Sequence, residues 1–335
     1  MSALTTGGAR RLALLLLMAA VGAVGAVGTV GAVGASAAAA APAQDCPPVM
    51  QAPTAIELRA AQRQARDRGF LWRLVKDGRS SWLFGTIHVG KLPWAFAGPA
   101  LAQAFAVTDI LALELDPLDP AVARQVAAAT QLPPSADALP APLDERLQRQ
   151  MAVACLDREL LRGQQPMMQL ITLNLLSARR DALDVAFGQE LVLASMAHAA
   201  GRHIVSLETV EQQIAALLPD DKAQAHLQLE QGLEQLEDGR ARAVLRRLAS
   251  AWAEGDLATI EHHAEWCDCA NTTDERLQLQ RLNDARNPHL ADAIAALHAQ
   301  GHSVLAAVGA LHMTGPQALP RLLEQRGFKV QRVTF

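Results

Sequence analysis

The sequence contains no tyrosine, and all aromatic residues together make up 4% of its 335 positions. A groove built on stacked aromatic rings for carbohydrate is therefore not indicated, and the core is expected to be mostly aliphatic. The chain also lacks a Gly-rich phosphate loop, a Gly-x-Ser-x-Gly nucleophile elbow and a His-Glu-x-x-His helix. These absences argue against nucleotide binding, serine esterases and ordinary zincins.

Excess positive charge is missing as well. The formal net charge is -4, and removal of two arginines in the N-terminal leader brings it to about -6. Proteins that bind nucleic acid neutralise phosphates with clustered Lys and Arg, and no basic stripe occurs, so we expect no nucleic-acid partner. No second long apolar run follows the leader, so no integral membrane segment is expected after its removal.

Residues 1–43 are predicted to be a secretory signal peptide. Arg10 and Arg11 form a positive n-region, Leu12 to Met18 an apolar core, and Ala41-Pro42-Ala43 a small-residue cleavage site. The alternative is a retained membrane anchor, but the glycine-rich tail of this segment would make a poor spanning helix, which favours cleavage. We therefore expect a periplasmic or secreted protein of a bacterial cell envelope.

The chain has four cysteines, Cys46, Cys155, Cys267 and Cys269. In an exported protein they are expected to form disulfides, because that compartment is oxidising. Only one residue separates Cys267 from Cys269, too few for an easy mutual bridge, so one of them is expected to pair with Cys46 or Cys155. A metal or redox site on Cys-x-Cys is the alternative, disfavoured because its thiolates would be at risk of oxidation.

Strands and helices alternate along the chain. Two apolar runs flank Asp77-Gly78, the strongest hairpin signal in the sequence. Further strands are predicted at Ile110 to Leu115, at Arg202 to Glu208, after Gly301 and at Phe328 to Val333. The alternation predicts an α/β fold with a mixed, mostly parallel sheet flanked by helices.

The predicted domain organisation is simple. An N-terminal extension, residues 44–69, precedes a single α/β domain, residues 70–335, with a helical insertion at about 119–200 and a helical hairpin at about 220–266. Asp119-Pro120 opens the first helix of the insertion, and Gly255-Asp256 separates the two hairpin helices. The Met-rich segment Met167 to Leu176 could line a substrate groove, but methionines at helical spacing favour a core position.

Two Gly-x-x-His motifs lie near opposite ends of the domain. Gly85 to His88 and Gly309 to His312 each follow an apolar strand and precede a Pro-marked loop, a helix and another strand. This matching context predicts two pseudo-repeated halves whose histidines meet in space. Each glycine lets the backbone turn sharply or approach a neighbour closely, so that the imidazole can swing over the strand ends.

Carboxylates follow two other strands, at Glu114 and Glu208. Ligands collect at the carboxyl ends of parallel strands, so these carboxylates are expected beside the two histidines. Two imidazoles and a carboxylate suit a borderline divalent ion with an open position for water, which predicts His88, His312 and Glu114 as ligands. Glu208 could then serve as a general base or hold a ligand histidine. Alternatively, Glu114 is the buried partner of an arginine such as Arg286.

Several motifs together resemble the TraB/GumN/Tiki family. They are the two Gly-x-x-His motifs, Leu-Glu-Leu-Asp at Glu114, Leu207-Glu208-Thr209, Arg286-Asn287 and the C-terminal Gly-Ala-Leu-His-Met-Thr-Gly-Pro, and the resemblance extends from about Leu71 to Val333. It implies an α/β architecture related to the erythromycin esterase and ChaN-like proteins. It also implies a divalent-metal-dependent protease, the activity described for the animal Tiki members.

Residue roles also follow from this resemblance. It implies that His88 and His312 are metal ligands, that Glu114 is a ligand or catalytic carboxylate, and that Arg286 stabilises the transition state. With Glu208, the predicted catalytic residues are then Glu114, Glu208 and Arg286.

The sequence thus predicts an exported hydrolase, in the first instance a peptidase, that uses a divalent ion (Mn, Co or Zn) and acts on a peptide or protein. The alternative is a non-catalytic envelope protein that retains the cleft for binding. Such a protein would act in quality control or as an accessory to polysaccharide export, the latter suggested by the family name alone.

Overall fold

The computed structural model describes residues 45–219 and 221–335, so the predicted signal peptide lies outside the described residues. Strands of this part form one mixed sheet: β1 (Phe70–Lys76), β2 (Arg79–Thr86), β3 (Ile110–Leu113), β4 (His203–Ser206), β5 (Val304–Gly309) and β6 (Lys329–Val333). Their spatial order is β4-β3-β5-β2-β1-β6. Strand β1 is antiparallel to both neighbours, and the other pairs are parallel. The predicted α/β fold with a mixed, mostly parallel sheet is confirmed.

The hairpin between β1 and β2 forms where the sequence predicts it. Asp77 and Gly78 both have positive φ, 51° and 74°, as the twist of a two-residue hairpin requires. Lys76 then pairs with Arg79, and the register continues to Phe70 opposite Gly85. The turn chemistry therefore fixes where the first Gly-x-x-His motif leaves the sheet.

The two strands that carry these motifs are neighbours in the middle of the sheet. Strand β2 pairs in parallel with β5, with Gly85 opposite Val308 and Thr86 opposite Gly309. Parallel central strands are covered on both faces and read as continuous apolar runs. Accordingly, every residue from Val304 to Val308 is fully buried. Both motifs consequently leave the sheet at the same edge.

The predicted pseudo-repeat is not confirmed. Each motif is followed by helical structure and a returning strand, as expected. However, β3, which follows the first motif, is separated from its motif strand β2 by one strand, β5. Strand β6, which follows the second motif, is separated from its motif strand β5 by two strands, β2 and β1. The two halves therefore do not occupy equivalent places in the sheet.

Helices flank the sheet. The α-helices of the described residues are α1 (Ala55–Gln62), α2 (Pro99–Ala106), α3 (Pro120–Ala129), α4 (Ala141–Val153), α5 (Pro166–Ser177), α6 (Gln189–Ala199), α7 (Val210–Leu217), α8 (Lys222–Glu237), α9 (Arg240–Glu254), α10 (Leu257–Glu261), α11 (His263–Trp266), α12 (Thr273–Leu282), α13 (Asn287–Ala299) and α14 (Leu319–Gln325). Short 3-10 helices occupy Leu92–Ala95, Arg158–Leu161, Ala178–Asp181, Val185–Phe187 and Ala310–Met313. Across residues 45–219 and 221–335, none of the helices has the length and apolar character to span a membrane.

The helical segments pack around cores of their own. Asp119 caps α3 through its side chain and Pro120 occupies the first turn, as predicted. Leucines of α4, α5 and α8 form a second hydrophobic cluster apart from the sheet. The expected break at Gly255-Asp256 is present between α9 and α10, and a further break at Gly239, with φ 81°, separates α8 from α9. A left-handed conformation at glycine ends a helix without steric cost.

The disulfide pairing differs from the one expected. Cys46 bridges Cys155, and Cys267 bridges Cys269, so the expected pairing of Cys267 or Cys269 with Cys46 or Cys155 is wrong. Asp268 between them adopts a left-handed φ of 54°. This turn brings the two Cα atoms to 5.1 Å, within the range that a disulfide spans.

Removing the two disulfides is expected to have unequal effects on stability. The Cys46–Cys155 bridge joins residues 109 positions apart, and the Cys267–Cys269 bridge joins residues 2 apart. Because a longer closed loop restricts the unfolded chain more, Cys46→Ser with Cys155→Ser should lose about 3 kcal/mol more than Cys267→Ser with Cys269→Ser. Denaturant unfolding of the two double variants measures this difference, and equal losses would contradict the entropic explanation.

Candidate active site

Glu114 and Glu208 lie side by side because the pairing of β3 with β4 continues past the strand ends. Leu207 N donates to Leu113 O at 2.7 Å, and Glu208 N donates to Glu114 O at 3.1 Å. Both glutamates are 6% exposed. Two buried carboxylates at one sheet edge need compensation, because an unpaired buried charge is costly.

Arg286 supplies that compensation from the start of α13. Its Nε donates to Glu208 Oε1 at 2.9 Å, and its Nη2 donates to Glu208 Oε2 and, at 2.5 Å, to Glu114 Oε2. Burial would raise the pKa of Glu114, but Arg286 and the nearby histidines outweigh it and hold that pKa well below its ordinary range. Burial would lower the pKa of Arg286, yet its bonds to the two glutamates raise it overall. The alternative reading of Glu114, as partner of Arg286, therefore describes a real ion pair.

His312 completes this cluster in a defined tautomer. Its Nδ1 lies 2.5 Å from Asn287 Oδ1, while Asn287 Nδ2 donates to the carbonyls of His312 and Gln317. Since the amide nitrogen is already committed, the hydrogen-bond network assigns the proton to His312 Nδ1. His312 Nε2 is then left as an acceptor, 3.2 Å from Arg286 Nη1. Burial lowers the pKa of His312 to about 4, so the ring is neutral at pH 7.

Every N–H donor of Arg286 is engaged. A guanidinium carries five N–H groups. Besides the three bonds to the glutamates, Nη1 donates to Leu282 O and contacts His312 Nε2. In this conformation Arg286 joins Glu114, Glu208 and His312 and has no donor left for a substrate, so its predicted role as a transition-state stabiliser requires one contact to be exchanged.

His88 occupies a different environment. It lies just beyond β2, its side chain is 68% exposed, and its Nδ1 lies 3.2 Å from Glu190 Oε1. Glu190 also accepts a bond from Thr86 Oγ1 at 2.5 Å, and its side chain is 14% exposed. Attraction to Glu190 outweighs desolvation and raises the pKa of His88 above 6.5. Because the ring is largely exposed, solvent screens this attraction.

Sequence reasoning missed Glu190. This residue lies in the first turn of α6, and its helix start docks on the His88 loop, where Gln189 N donates to Ile87 O at 2.9 Å. A Cβ added to Gly188 would lie 2.5 Å from His88 O, so this approach requires glycine. Glu190 does not follow a strand, so the pattern of carboxylates at strand ends does not include it. The local signal that could have indicated it is a Gly-x-Glu at the start of a helix.

A cavity of about 280 Å³ connects these groups. His88, Glu190, Glu114 and Arg286 line it, whereas Glu208 and His312 contact Arg286 without lining it. The remaining wall is mostly apolar, formed by Leu115, Pro117, Val122, Val126, Ile171, Leu175, Val185, Leu191 and Leu217. Helix α5 carries the Met-rich segment that was expected in the core. It buries Met168 and Leu173, but its Ile171 and Leu175 face the cavity.

The glycines of the two motifs permit close packing at this edge. Gly309 N donates to Glu114 Oε1 at 2.8 Å, and a Cβ added to Gly309 would lie 3.3 Å from the same oxygen. A Cβ added to Gly85 would lie 3.2 Å from Met313 and Phe70. Both therefore serve the close approach that the sequence predicts for them.

The predicted metal ligands have suitable chemistry but are engaged with other partners. By residue type they fit a borderline divalent ion, because His312 Nε2 carries a lone pair and Glu114 is ionised. In position two of them hold Arg286 instead, because its guanidinium bonds to Glu114 Oε2 and contacts His312 Nε2, whereas His88 pairs with Glu190. Within residues 45–219 and 221–335, no three His, Cys, Asp or Glu side chains form a group that could hold a metal ion. Metal ligation by His88, His312 and Glu114 therefore stays a prediction.

The sequence profile of the TraB/PrgY/gumN family matches residues 70–332, from β1 into β6, and so includes both Gly-x-x-His motifs, both glutamates and Arg286. No curated protein and no solved structure matches the chain significantly.

Proposed function

The chain belongs to the TraB/PrgY/gumN family, and from this membership and the site geometry we propose that it is an exported hydrolase, specifically a peptidase. One observation carries the proposal. His88, with its partner Glu190, lines the same largely apolar cavity as Glu114 and Arg286. An acid–base pair beside an ionised carboxylate and a guanidinium is a set of groups suited to hydrolysis.

In the proposed reaction His88 moves the proton. Its Nδ1 faces Glu190, which orients the ring and leaves Nε2 for a water molecule. Glu190 also stabilises the imidazolium that forms when Nε2 accepts a proton from that water. Glu114 is the weaker candidate for the base, because its lowered pKa reduces its affinity for a proton.

Arg286, released from Glu114, would stabilise the negative charge that develops on the substrate in the cavity. A tetrahedral intermediate develops negative charge on the former carbonyl oxygen, which a guanidinium stabilises. Arg286 would offer a donor by giving up its contact with Glu114, while Glu208 keeps it in place through two hydrogen bonds. Glu208 is then a positioning residue for Arg286.

The proposal has a second, metal-dependent form, in which a divalent ion, Mn, Co or Zn, would be held by His88, His312 and Glu114. Because a His88 nitrogen that binds the ion cannot also accept a proton, the ion would replace His88 in activating the water. Such an ion would supply a water of lowered pKa as nucleophile. The donor types support this part, together with the resemblance to metal-dependent relatives. Arg286 competes for two of the three donors, so binding of the ion requires Arg286 to change partners.

Export of the protein to an oxidising compartment is supported by its two disulfides. Disulfides persist in the periplasm and outside the cell and are rare in the cytosol. Both pairs are formed, and no free cysteine remains among the described residues. We therefore propose a periplasmic or secreted location.

Turnover and metal dependence are tested together on the chain without residues 1–43. We expect it to cleave members of a peptide library, followed by mass spectrometry, to lose activity in a chelator and to regain it with Mn, Co or Zn. Calorimetric titration should show ion binding that weakens at least tenfold in His88→Ala and His312→Ala. Cleavage that survives chelation would leave the hydrolase standing without the metal, and unaltered ion binding in both variants would remove these ligands.

A non-catalytic binding protein is the second candidate. The observation in its favour is that all five donors of Arg286 are already engaged. This candidate predicts that Glu114→Gln keeps the affinity for a bound peptide, and that the protein turns over no peptide or ester of the library.

A further inference from the structure

A second cavity, of about 260 Å³, adjoins the first. The two share Ile171 of α5 and Leu217 of α7 in their walls. The second has five side-chain amides in its wall, beside the carboxylate of Glu275 and several apolar residues; the amides belong to Gln228, Gln231 and Gln235 of α8, Gln278 of α12 and Asn174 of α5. A cavity rich in amides therefore lies directly beside the apolar one, with Ile171 and Leu217 between them.

Gln228 indicates that this second cavity receives a polar ligand. The residue is 4% exposed, and neither its Nε2 nor its Oε1 has a hydrogen-bond partner among the described residues. Asn174 Oδ1, in the same wall, is likewise buried without a partner. Folded proteins pair nearly all buried polar atoms. Gln228 differs from Gln164, whose buried amide is also unpaired among the described residues, in lining a cavity, so a ligand there would pair with its amide once the side chain turns towards the cavity.

The chemistry of a carboxamide selects the occupant. Gln228 offers an acceptor and two donors in one plane. Its complement is another amide, whose N–H donates to Oε1 and whose carbonyl accepts from Nε2. Gln231 lies three residues further on the same helix and thus on the same face, whereas Gln235 already donates to Asp268 O.

A sugar would also offer hydroxyl groups to these amides. Carbohydrate sites, however, commonly present aromatic rings to the sugar faces, and none of the Phe and Trp residues in the described part of the chain lines either cavity. The apolar first cavity instead suits an aliphatic side chain, whose burial is favourable. A chain that alternates amides with apolar side chains is a peptide.

We propose that the glutamine-lined cavity is a docking subsite for the main chain of an extended peptide, which pairs with Gln228 while a neighbouring apolar side chain enters the first cavity. The proposal deepens the proposed function and rests on it only for the peptide being cleaved. The peptide would pass Ile171 and Leu217, which the two cavities share. The proposal therefore assigns the Met-rich helix α5 to the floor of a substrate cleft.

The test uses a blocked hexapeptide, acetyl-Ala-Ala-Leu-Ala-Ala-Ala-amide, and calorimetric binding to the chain without residues 1–43. His88→Ala serves as the background, in which cleavage is expected to be at least about a hundredfold slower. Adding Gln228→Met, which keeps the size and removes both amide atoms, should weaken binding roughly tenfold. Gln164→Met is the matched control, because Gln164 is 2% exposed with both amide atoms unpaired and lines neither cavity.

A change in the ligand gives a second measurement that needs no variant. A depsipeptide with an ester in place of the amide after the leucine lacks one N–H. It should bind more weakly than the hexapeptide to the Gln228 protein and with little difference to Gln228→Met. Both methionine variants should also melt at a higher temperature, because each removes an unpaired buried amide, which separates an affinity loss from misfolding.

The outcomes are distinct from those of the hydrolase test. Peptide binding that depends on Gln228, without cleavage of any peptide by the parent protein, would contradict the hydrolase proposal and support the subsite. Cleavage with an unchanged KM in Gln228→Met would overturn the subsite and keep the hydrolase. Equal affinity of Gln228→Met and its parent would leave water as the occupant, and binding of maltohexaose in preference to the hexapeptide would assign the cavity to a glycan; either result overturns the proposal.

Discussion

Replacing Arg286 with methionine is expected to lower the free energy of unfolding by about 3–5 kcal/mol. The substitution keeps much of the side-chain volume but leaves Glu114 and Glu208 together at the sheet edge without a cation. Their side chains are 7% and 2% exposed, so water cannot replace the guanidinium. Denaturant unfolding at pH 7 measures the loss.

Two controls separate this effect from a general one. Arg162→Met removes an exposed ion pair, in which the side chain of Arg162 is 77% exposed and that of Glu159 is 57% exposed. It should change the free energy of unfolding by less than about 0.5 kcal/mol. Adding Glu208→Gln to Arg286→Met should recover part of the loss, because one of the two uncompensated charges disappears. A loss below about 1 kcal/mol for Arg286→Met would show that the two carboxylates find another partner or take up protons at little cost.

The residues that meet through the sheet were predictable from the ends of its strands. Glu114, Glu208 and His312 follow parallel strands that share one edge, so knowing that these segments were strands was sufficient to expect them together. The alternation of apolar runs and the Asp77-Gly78 turn predicted those strands. Strand order was beyond the sequence, because the neighbours of β5 in the sheet are distant along the chain.

Contacts that depend on helix docking or on unusual backbone were not predictable in the same way. Glu190 reaches His88 because the start of α6 packs on the loop after β2, a long-range contact with no periodic signature. The Cys267–Cys269 bridge depends on a left-handed Asp268, a conformation that is uncommon for residues other than glycine. The unpaired amide of Gln228 was not predictable for a third reason. Whether this side chain finds a hydrogen-bond partner depends on how α8, α5 and α12 pack.

The two Gly-x-x-His motifs are alike in sequence and opposite in environment. His312 is buried between Asn287 and Arg286, and its pKa is lowered to about 4. His88 is exposed beside Glu190, and its pKa is raised. Groups whose surroundings push their pKa values apart commonly divide the work of a site. Here His312 keeps one charge state over the neutral range and supports Arg286, while His88 is the histidine that can exchange protons.

This division predicts that His88→Ala lowers kcat/KM for peptide cleavage by about 10²- to 10⁴-fold, the usual contribution of a general acid–base residue. Because the side chain is 68% exposed, the free energy of unfolding should change by less than about 1 kcal/mol. The matched control is His198→Ala, whose half-exposed ring also pairs with a carboxylate, Asp116 at 3.3 Å, but does not line the cavity. Its kcat/KM should stay within about twofold of the parent.

Glu190→Gln tests the partner of His88 through the pH profile. In the parent, Glu190 raises the pKa of His88, so the unprotonated ring that accepts a proton from water becomes available only as the pH rises through that value. Without the carboxylate the pKa falls, and the acid limb of the kcat/KM profile should therefore move to lower pH. The plateau should drop as well, because glutamine stabilises the imidazolium less than a carboxylate does. An acid limb that stays in place, or one that moves to higher pH, would mean that His88 is not the group whose deprotonation limits the reaction.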